Sequence, residues 1–256
     1  MEHVKPDNEE RLLYNQYQWV WDMIGTVEDY EKLARYIAGR IRKHETLKTK
    51  TLLHLGCGSG CIDHHLKGQF TITGVDLSEK MLESARLKNP ECEYMKDDMR
   101  DFQTDGVFDA VIIPESINYI LSKEHIGDVF KNAKTLLKKD GLLLVIVGYD
   151  PENFPQDRTT VERVTNKNKG IELTFIENNY TAYPQSNSFE ATFVFLIRNQ
   201  GKLEIETDIH ILGLFEKKTF AGEMNKAGFK TVIIEDQYLE EIEQKGAYLI
   251  VGKSLT

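Results

Sequence analysis

Thr51-Leu52-Leu53-His54-Leu55-Gly56-Cys57-Gly58-Ser59-Gly60 runs from an apolar segment directly into three glycines at alternate positions. The first half reads as a buried strand. The second half reads as a turn whose glycines let the backbone reverse sharply and approach a ligand, with free N–H groups at the following helix start facing an anionic group. Downstream the same grammar repeats: short apolar runs at residues 70–76, 92–95, 108–113 and 141–147 are mostly separated by amphipathic stretches. Strand and helix in alternation specify an α/β fold, a Rossmann-like, mostly parallel sheet with helices on both faces. Ser78 before Glu79-Lys80-Met81 marks a helix start, and Lys138-Lys139-Asp140-Gly141 reads as the close of the helix before strand five.

Upstream, residues 8–43 carry Tyr30, Leu33, Ala34, Ile37 and Ile41 at helical spacing and read as a helical flank or lid. After Asp150 the pattern changes. Residues 159–215 alternate apolar and polar side chains, with Asn199-Gln200-Gly201-Lys202 as a hairpin turn, and so predict an antiparallel meander. A helix at 217–227, ended by Gly228, then leads to strands at 231–236 and 247–253. These would complete a seven-stranded sheet whose last strand runs antiparallel, with the meander inserted between strands five and six. The expected division is a helical lid (1–45), a cofactor-binding core (46–150), a β insertion on the acceptor side (151–215) and completion of the core sheet (216–256).

With 256 residues, 41% of them hydrophobic, the chain can bury a full core. It has no run of about 18 apolar residues and no basic-then-apolar start, so the expectation is a protein of the cytoplasm with no membrane partner. Three cysteines are too few for a disulfide framework. A net charge of −9 opposes a nucleic-acid partner, which would demand clustered Lys and Arg. Oligomeric state is left open, a homodimer included.

Two acidic positions sharpen the glycine loop. Asp76 ends the second strand about 20 residues on, where a carboxylate accepts hydrogen bonds from both ribose hydroxyls of an adenosine. Asp97-Asp98-Met99 follows the third strand, where a carboxylate meets an adenine amino group and a backbone N–H a ring nitrogen. A nicotinamide-dependent oxidoreductase remains an alternative, but it prefers glycine or alanine where this chain has Cys61. The G-x-G-x-G spacing suits S-adenosylmethionine. Around that cofactor we place Gly56, Cys57, Gly58, Gly60, Asp76, Leu77, Met81, Asp97, Asp98, Met99, Pro114, Tyr30 and Trp21.

Residues 51–147 resemble the core of class I S-adenosylmethionine-dependent methyltransferases: LLHLGCGSG resembles motif I, GVDLS motif II, KDDMRDF the adenine-binding turn, FDAVIIPESINYI motif IV and LLKKDGLLLVI motif V. VWDMI, DYEKLA, TDIHILGLF and the helix ending NKAGF extend the similarity to bacterial N,N-dimethyltransferases of nucleotide-linked aminosugars, which carry a β insertion at the same place. The resemblance implies cofactor binding by Gly56, Gly58, Asp76, Leu77, Asp98 and Met99. Two positions depart from it. His54 stands where motif I usually has an acid, and Trp21-Asp22-Met23 has no second tyrosine where the sugar enzymes place one near the acceptor amine.

Methyl transfer from a sulfonium needs alignment above all, and orientation supplies about 7–11 kcal/mol of barrier reduction. Glu115 and Tyr119, after strand four, are the candidates for acceptor contact, and His210 is placed either as a base or as a structural histidine. Tyr14, Tyr17, Trp19 and Trp21 either close over the sulfonium or simply pack. Cys57, Cys61, His64 and His65 do not read as a metal site, and residues 235–245 read as a solvated surface. The expected partner is a small-molecule methyl acceptor, amine or hydroxyl. The residues also permit a catalytically silent interaction subunit, or a methyltransferase acting on protein or tRNA.

Overall fold

The computed structural model describes residues 11–181 and 187–255. Residues 1–10 of the expected helical lid, 182–186 of the expected meander and 256 at the end of the core lie outside them. One sheet has seven strands: β1 (Thr51–Leu55), β2 (Thr71–Asp76), β3 (Glu93–Lys96), β4 (Phe108–Pro114), β5 (Leu137–Val147), β10 (Phe229–Glu235) and β11 (Tyr248–Ser254). Their spatial order is β10-β11-β5-β4-β1-β2-β3, and β11 runs antiparallel to both its neighbours. The expected topology is the observed one. Strand alternation feeds two cores. Leu143, Val145 and Val147 join Leu53, Leu55, Val111 and Ile113 on one face. Leu142, Leu144 and Ile146 join Leu52, Ile72, Ala110 and Ile112 on the other. Each such Leu, Ile or Val side chain contributes about 1.5–3 kcal/mol on burial, so strand register is strongly fixed.

Helices α3 (Cys61–Leu66), α4 (Glu79–Lys88), α5 (Lys123–Thr135), α6 (Lys217–Lys226) and α7 (Gln237–Ile242) connect these strands. The Ser78 side chain accepts from Met81 N, as an N-cap does. Lys138–Gly141 differs from expectation: α5 has already ended, and the segment lies inside β5, where the β4 register shifts between Phe108 and Ala110. The glycine in that segment relieves crowding in the strand, since a Cβ there would come within 2.9 Å of Leu137.

The N-terminal flank is also subdivided. A 3-10 turn (Leu12–Tyr14) precedes α1 (Gln18–Ile24), which ends at Gly25. Thr26 and Asp29 then form a capping box that starts a 3-10 turn (Val27–Tyr30) running into α2 (Glu31–His44). The helical spacing from Leu33 to Ile41 belongs to α2 alone, and Leu33, Ala34, Ile37 and Ile41 are buried.

The meander forms a second sheet of β6 (Arg158–Asn166), β7 (Ile171–Tyr180), β8 (Ser188–Asn199) and β9 (Lys202–Gly213), all antiparallel neighbours in that order. Gln200 and Gly201 both have positive φ, as a two-residue hairpin turn requires. Its inner face packs Phe175, Phe193 and Phe195 against Leu13, Tyr17 and Val20 of the N-terminal segment. Among the described residues no helix is long and apolar enough to cross a membrane.

Candidate active site

At the carboxyl end of β1 the three loop glycines all have positive φ, 72° at Gly56, 53° at Gly58 and 71° at Gly60. A side chain at Gly56 would meet Ser116 at 2.3 Å, and one at Gly60 would meet Asn89 and Tyr94 at 2.8 Å. The loop therefore requires glycine at these two positions for space as well as for conformation. Asp76 Oδ2 accepts from Gly58 N at 2.8 Å, and Oδ1 accepts from Ser78 N at 2.9 Å. Burial nonetheless holds its pKa above the usual carboxylate value. Such a carboxylate, enclosed beside a tight glycine turn, fits the ribose of an adenosyl group. Next to it a hollow of about 570 Å³ opens between Asn15, Gln16, Gln18 and Trp19 on one side and Leu77, Glu79, Lys80 and Lys96 on the other. The Ser78 hydroxyl donates to Tyr14 O, so the N-terminal segment closes on this edge of the sheet.

Beneath the loop, His54 is buried with its Nδ1 2.7 Å from Asp63 Oδ1, while Tyr94 donates to Asp63 Oδ2 at 3.0 Å. Asn89 bridges Tyr94 and the carbonyl of Gly60. The acid missing from the end of β1 is thus supplied from α3, nine residues later in the chain.

Motif IV lies at the next strand end. Glu115 takes a left-handed φ of 55° and opens the 3-10 turn Ser116–Tyr119. That conformation is costly for glutamate and occurs where surrounding structure enforces it. Glu115 is exposed, and Tyr14, Tyr30, Asp76, Tyr119 and Glu243 are partly exposed. They lie close in space: Glu115 acts electrostatically on Tyr14 and Tyr30, Asp76 on Tyr14 and Glu243 on Tyr30. Glu243 is hydrogen-bonded to Glu115, and burial raises both carboxyls, Glu243 well above its ordinary value. Glu177 on β7 adds a third negative group close enough to act on Glu115 and Tyr119.

Residues 52–141 match the family described as methyltransferase domain. A dTDP-3-amino-3,6-dideoxy-alpha-D-glucopyranose N,N-dimethyltransferase of Streptomyces fradiae is 31% identical over 175 residues, covering 63% of this chain and 68% of that one. The chain belongs to the class I S-adenosylmethionine-dependent methyltransferases. A putative methyltransferase of Geobacillus sp. strain WCH70 is 27% identical over 239 residues, 90% of this chain and 94% of its own. The crystal structure of Streptomyces venezuelae DesVI superposes with a TM-score of 0.80 at 24% identity, covering 94% and 97% of the two chains. Membership in this methyltransferase family decides the cofactor as S-adenosylmethionine; nothing supports the nicotinamide alternative.

The sequence-predicted residues spread unequally over this site. Gly56, Cys57, Gly58, Gly60, Asp76, Leu77 and Pro114 lie along one sheet edge, and a Cβ at Gly56 would come within 3.3 Å of Met99. Asp97 accepts from the Asp98 N–H, and the Asp98 carboxylate is held by the Arg100 side chain and backbone. Met81 is buried in α4. Trp21 meets Tyr14 edge-on, whereas Tyr17 stacks on Phe195 and belongs to the packing of the second sheet. His210 is fully buried, with both ring nitrogens engaged. Cys61 reaches Ser59 and Gly25, His64 reaches Asn89 and His65 reaches Val27, so these three do not gather around Cys57. Residues 235–245 are not merely a solvated surface. Leu239 is buried, Asp236 pairs with Arg40, and Glu243 meets Glu115. Glu177, Glu243 and Asp208 escaped sequence reasoning because each comes from a distant element, and Asp63 because its pairing with His54 across the loop has no local signal. Tyr14, upstream of Trp21, shares a hydrogen bond with Tyr119 of motif IV.

Proposed function

We propose that this methyltransferase transfers the methyl group to an amine nitrogen of a small-molecule acceptor, with nucleotide-linked aminosugars the favoured class. The observation that carries the reading is the gathering of three carboxyl groups, Glu115, Glu177 and Glu243, beyond the cofactor loop. An ammonium ion favours the ionised form of such a cluster and is drawn to it, and a carboxylate acceptor is repelled. The names of the Streptomyces fradiae and Streptomyces venezuelae relatives, which are N,N-dimethyltransferases of dTDP-linked aminosugars, point to the same class.

In this reading residues 56–60 and Asp76 hold the adenosyl and amino-acid parts of the cofactor, and Asp97, Asp98 and Met99 flank the adenine. Leu77, Met81, Pro114, Tyr30 and Trp21 shape its walls. S-adenosylmethionine, when bound, supplies an electrophilic methyl on a sulfonium. The remainder is the protein's work: Glu115 orients the amine, Tyr14 and Tyr119 offer hydroxyls, and aromatic faces attract positive charge by about 0.5–2 kcal/mol. The segment 1–45 acts as lid, and 151–215 forms the acceptor wall on the core formed by 46–150 and 216–256.

The test combines calorimetry with turnover. S-adenosylmethionine and S-adenosylhomocysteine should bind, and Asp76→Ala should weaken both by about 100-fold, the equivalent of two charge-assisted hydrogen bonds at the lower end of their range. Incubation with a panel of nucleotide-linked aminosugars and simple sugar amines should yield mono- and dimethylated products by mass spectrometry. Turnover confined to hydroxyl or carboxylate acceptors would overturn the amine assignment.

A further inference from the structure

Beside Glu115 four side chains form one hydrogen-bonded chain. The Tyr14 and Tyr119 hydroxyl oxygens are 2.6 Å apart, Tyr119 Oη is 2.9 Å from His210 Nδ1, and His210 Nε2 is 3.0 Å from Asp208 Oδ2. The same Asp208 oxygen accepts from Leu13 N at 2.8 Å, which fixes the segment that carries Tyr14. Tyr119 comes from motif IV, Tyr14 from the N-terminal flank and His210 with Asp208 from β9, so three parts of the chain meet here.

The direction of the chain follows from its far end. Burial works against the Asp208 anion, but the bonds from His210 and Leu13 prevail and hold its pKa below the ordinary value, so it accepts. His210 Nε2 must then carry the hydrogen, and Nδ1 presents a lone pair. Tyr119 donates to that lone pair, and Tyr14 donates to Tyr119. The oxygen of Tyr14 is left as an acceptor, with Arg11, Asp76 and Glu115 as its charged neighbours.

We propose that Tyr14, Tyr119 and His210 form a proton relay that takes a proton from the acceptor amine, with Asp208 as the positioning residue that sets the imidazole tautomer. The proposal rests on the amine reading above. An N–H proton of the bound ammonium passes to Tyr14 Oη as the Tyr14 proton passes to Tyr119 and the Tyr119 proton to His210 Nδ1. Nitrogen keeps the electron pair, which then forms the N–C bond while the sulfonium's S–C bond breaks. The imidazolium so formed is paired with the Asp208 carboxylate. A second such cycle is what a monomethyl product, formed as an ammonium, needs before it accepts another methyl.

His210 must be neutral to receive the proton. Burial lowers its pKa, Asp208 opposes that, and Arg11, beside the Tyr119 ring, lowers it further while Glu177 raises it. The net direction is downward, so His210 is neutral at pH 7. An aminosugar in water at that pH is largely protonated, and this is where a relay matters.

The experiment measures kcat against pH for wild type, His210→Gln, Asp208→Asn and Tyr119→Phe with an aminosugar acceptor. At pH 7 the His210 and Tyr119 variants should lose about 100-fold in kcat, the lower end of general-base contributions. The deficit should shrink as pH rises toward the acceptor's own pKa, and monomethyl product should accumulate, while cofactor affinity stays unchanged. Unchanged kcat and pH profile in folded variants would overturn the relay. If His210→Gln fails to fold, Tyr119→Phe, which removes one oxygen, gives the same reading. Nitrogen-15 NMR of His210 should show Nε2 protonated; the Nδ1–H tautomer would overturn the relay whatever the acceptor. Failure of the amine reading is distinct, because the wild type itself would methylate no amine.

Discussion

Strand β4 carries a carboxylate near each end, and the two have opposite properties. Asp109, near its start, accepts from Lys50 N, Thr51 N and the Thr51 hydroxyl and is paired with Lys138 at 2.8 Å. Burial alone would raise its pKa, but these donors bring it down to about 2. Glu115, just past the strand's end, has no such donors among its named interactions; burial raises its pKa, and its hydrogen-bonding partner is another carboxyl. Asp109 adopts ordinary strand geometry, whereas Glu115 sits at positive φ. One end of the sheet is arranged for stability. The other gathers close carboxyl groups and backbone strain, as functional sites do.

Substitution at each end should separate the two roles. Glu115→Gln keeps the shape and removes the charge. It should lower kcat/KM for an aminosugar by about 10–100-fold, the worth of one charge-assisted hydrogen bond, and leave S-adenosylhomocysteine affinity unchanged in calorimetry. An unaltered kcat/KM would remove Glu115 from the acceptor site. Asp109→Asn should do the reverse: normal turnover, but a loss of about 2.5 kcal/mol in urea unfolding at pH 7, from a pKa displaced by about two units. The sign follows from a depressed folded pKa. The stabilisation is present above about pH 4 and disappears as pH falls toward 2, so the gap between wild type and variant should close over that window. A gap that persists at pH 2 would mean the loss comes from packing.

The same contrast explains what could be read from the sequence. The sheet and its order were legible because Leu142–Val147 alternates between two cores, and because glycine at 56, 58 and 60 is dictated by local φ and space. Asp76 was legible for the same reason: it follows directly from its strand. The expected helix close at Lys138–Gly141 failed because lysine and glycine also suit a bulged strand, and only pairing with β4 decides between them. The break between α1 and α2 within the N-terminal flank was not legible because the Thr26–Asp29 capping box went unread. The group of residues around Glu115 and Tyr119 was least legible. Glu177, Asp208 and Glu243 lie on three elements far apart in the chain, each within a run of charged or alternating residues that local pattern assigns to the surface. Only tertiary packing turns them inward.

Glu243 offers the finest division between the two kinds of carboxylate. Burial, and then the neighbouring Glu115 carboxyl, push its pKa well above the ordinary value, so ionisation at neutral pH works against the fold. A raised carboxyl pKa implies stability lost as pH rises above the unfolded value of about 4.3. Glu243→Gln retains a donor for Glu115 and cannot ionise. At pH 7 it should therefore gain about 1 kcal/mol, a Tm increase of roughly 2–4 °C by calorimetry, and the gain should vanish below about pH 4. The same change should raise KM for the amine while leaving kcat nearly intact, since the group attracts the acceptor without reaching the transferred methyl. A lower Tm would show that the carboxyl pair stabilises the fold, and Glu243 would then belong with Asp109 and not with Glu115.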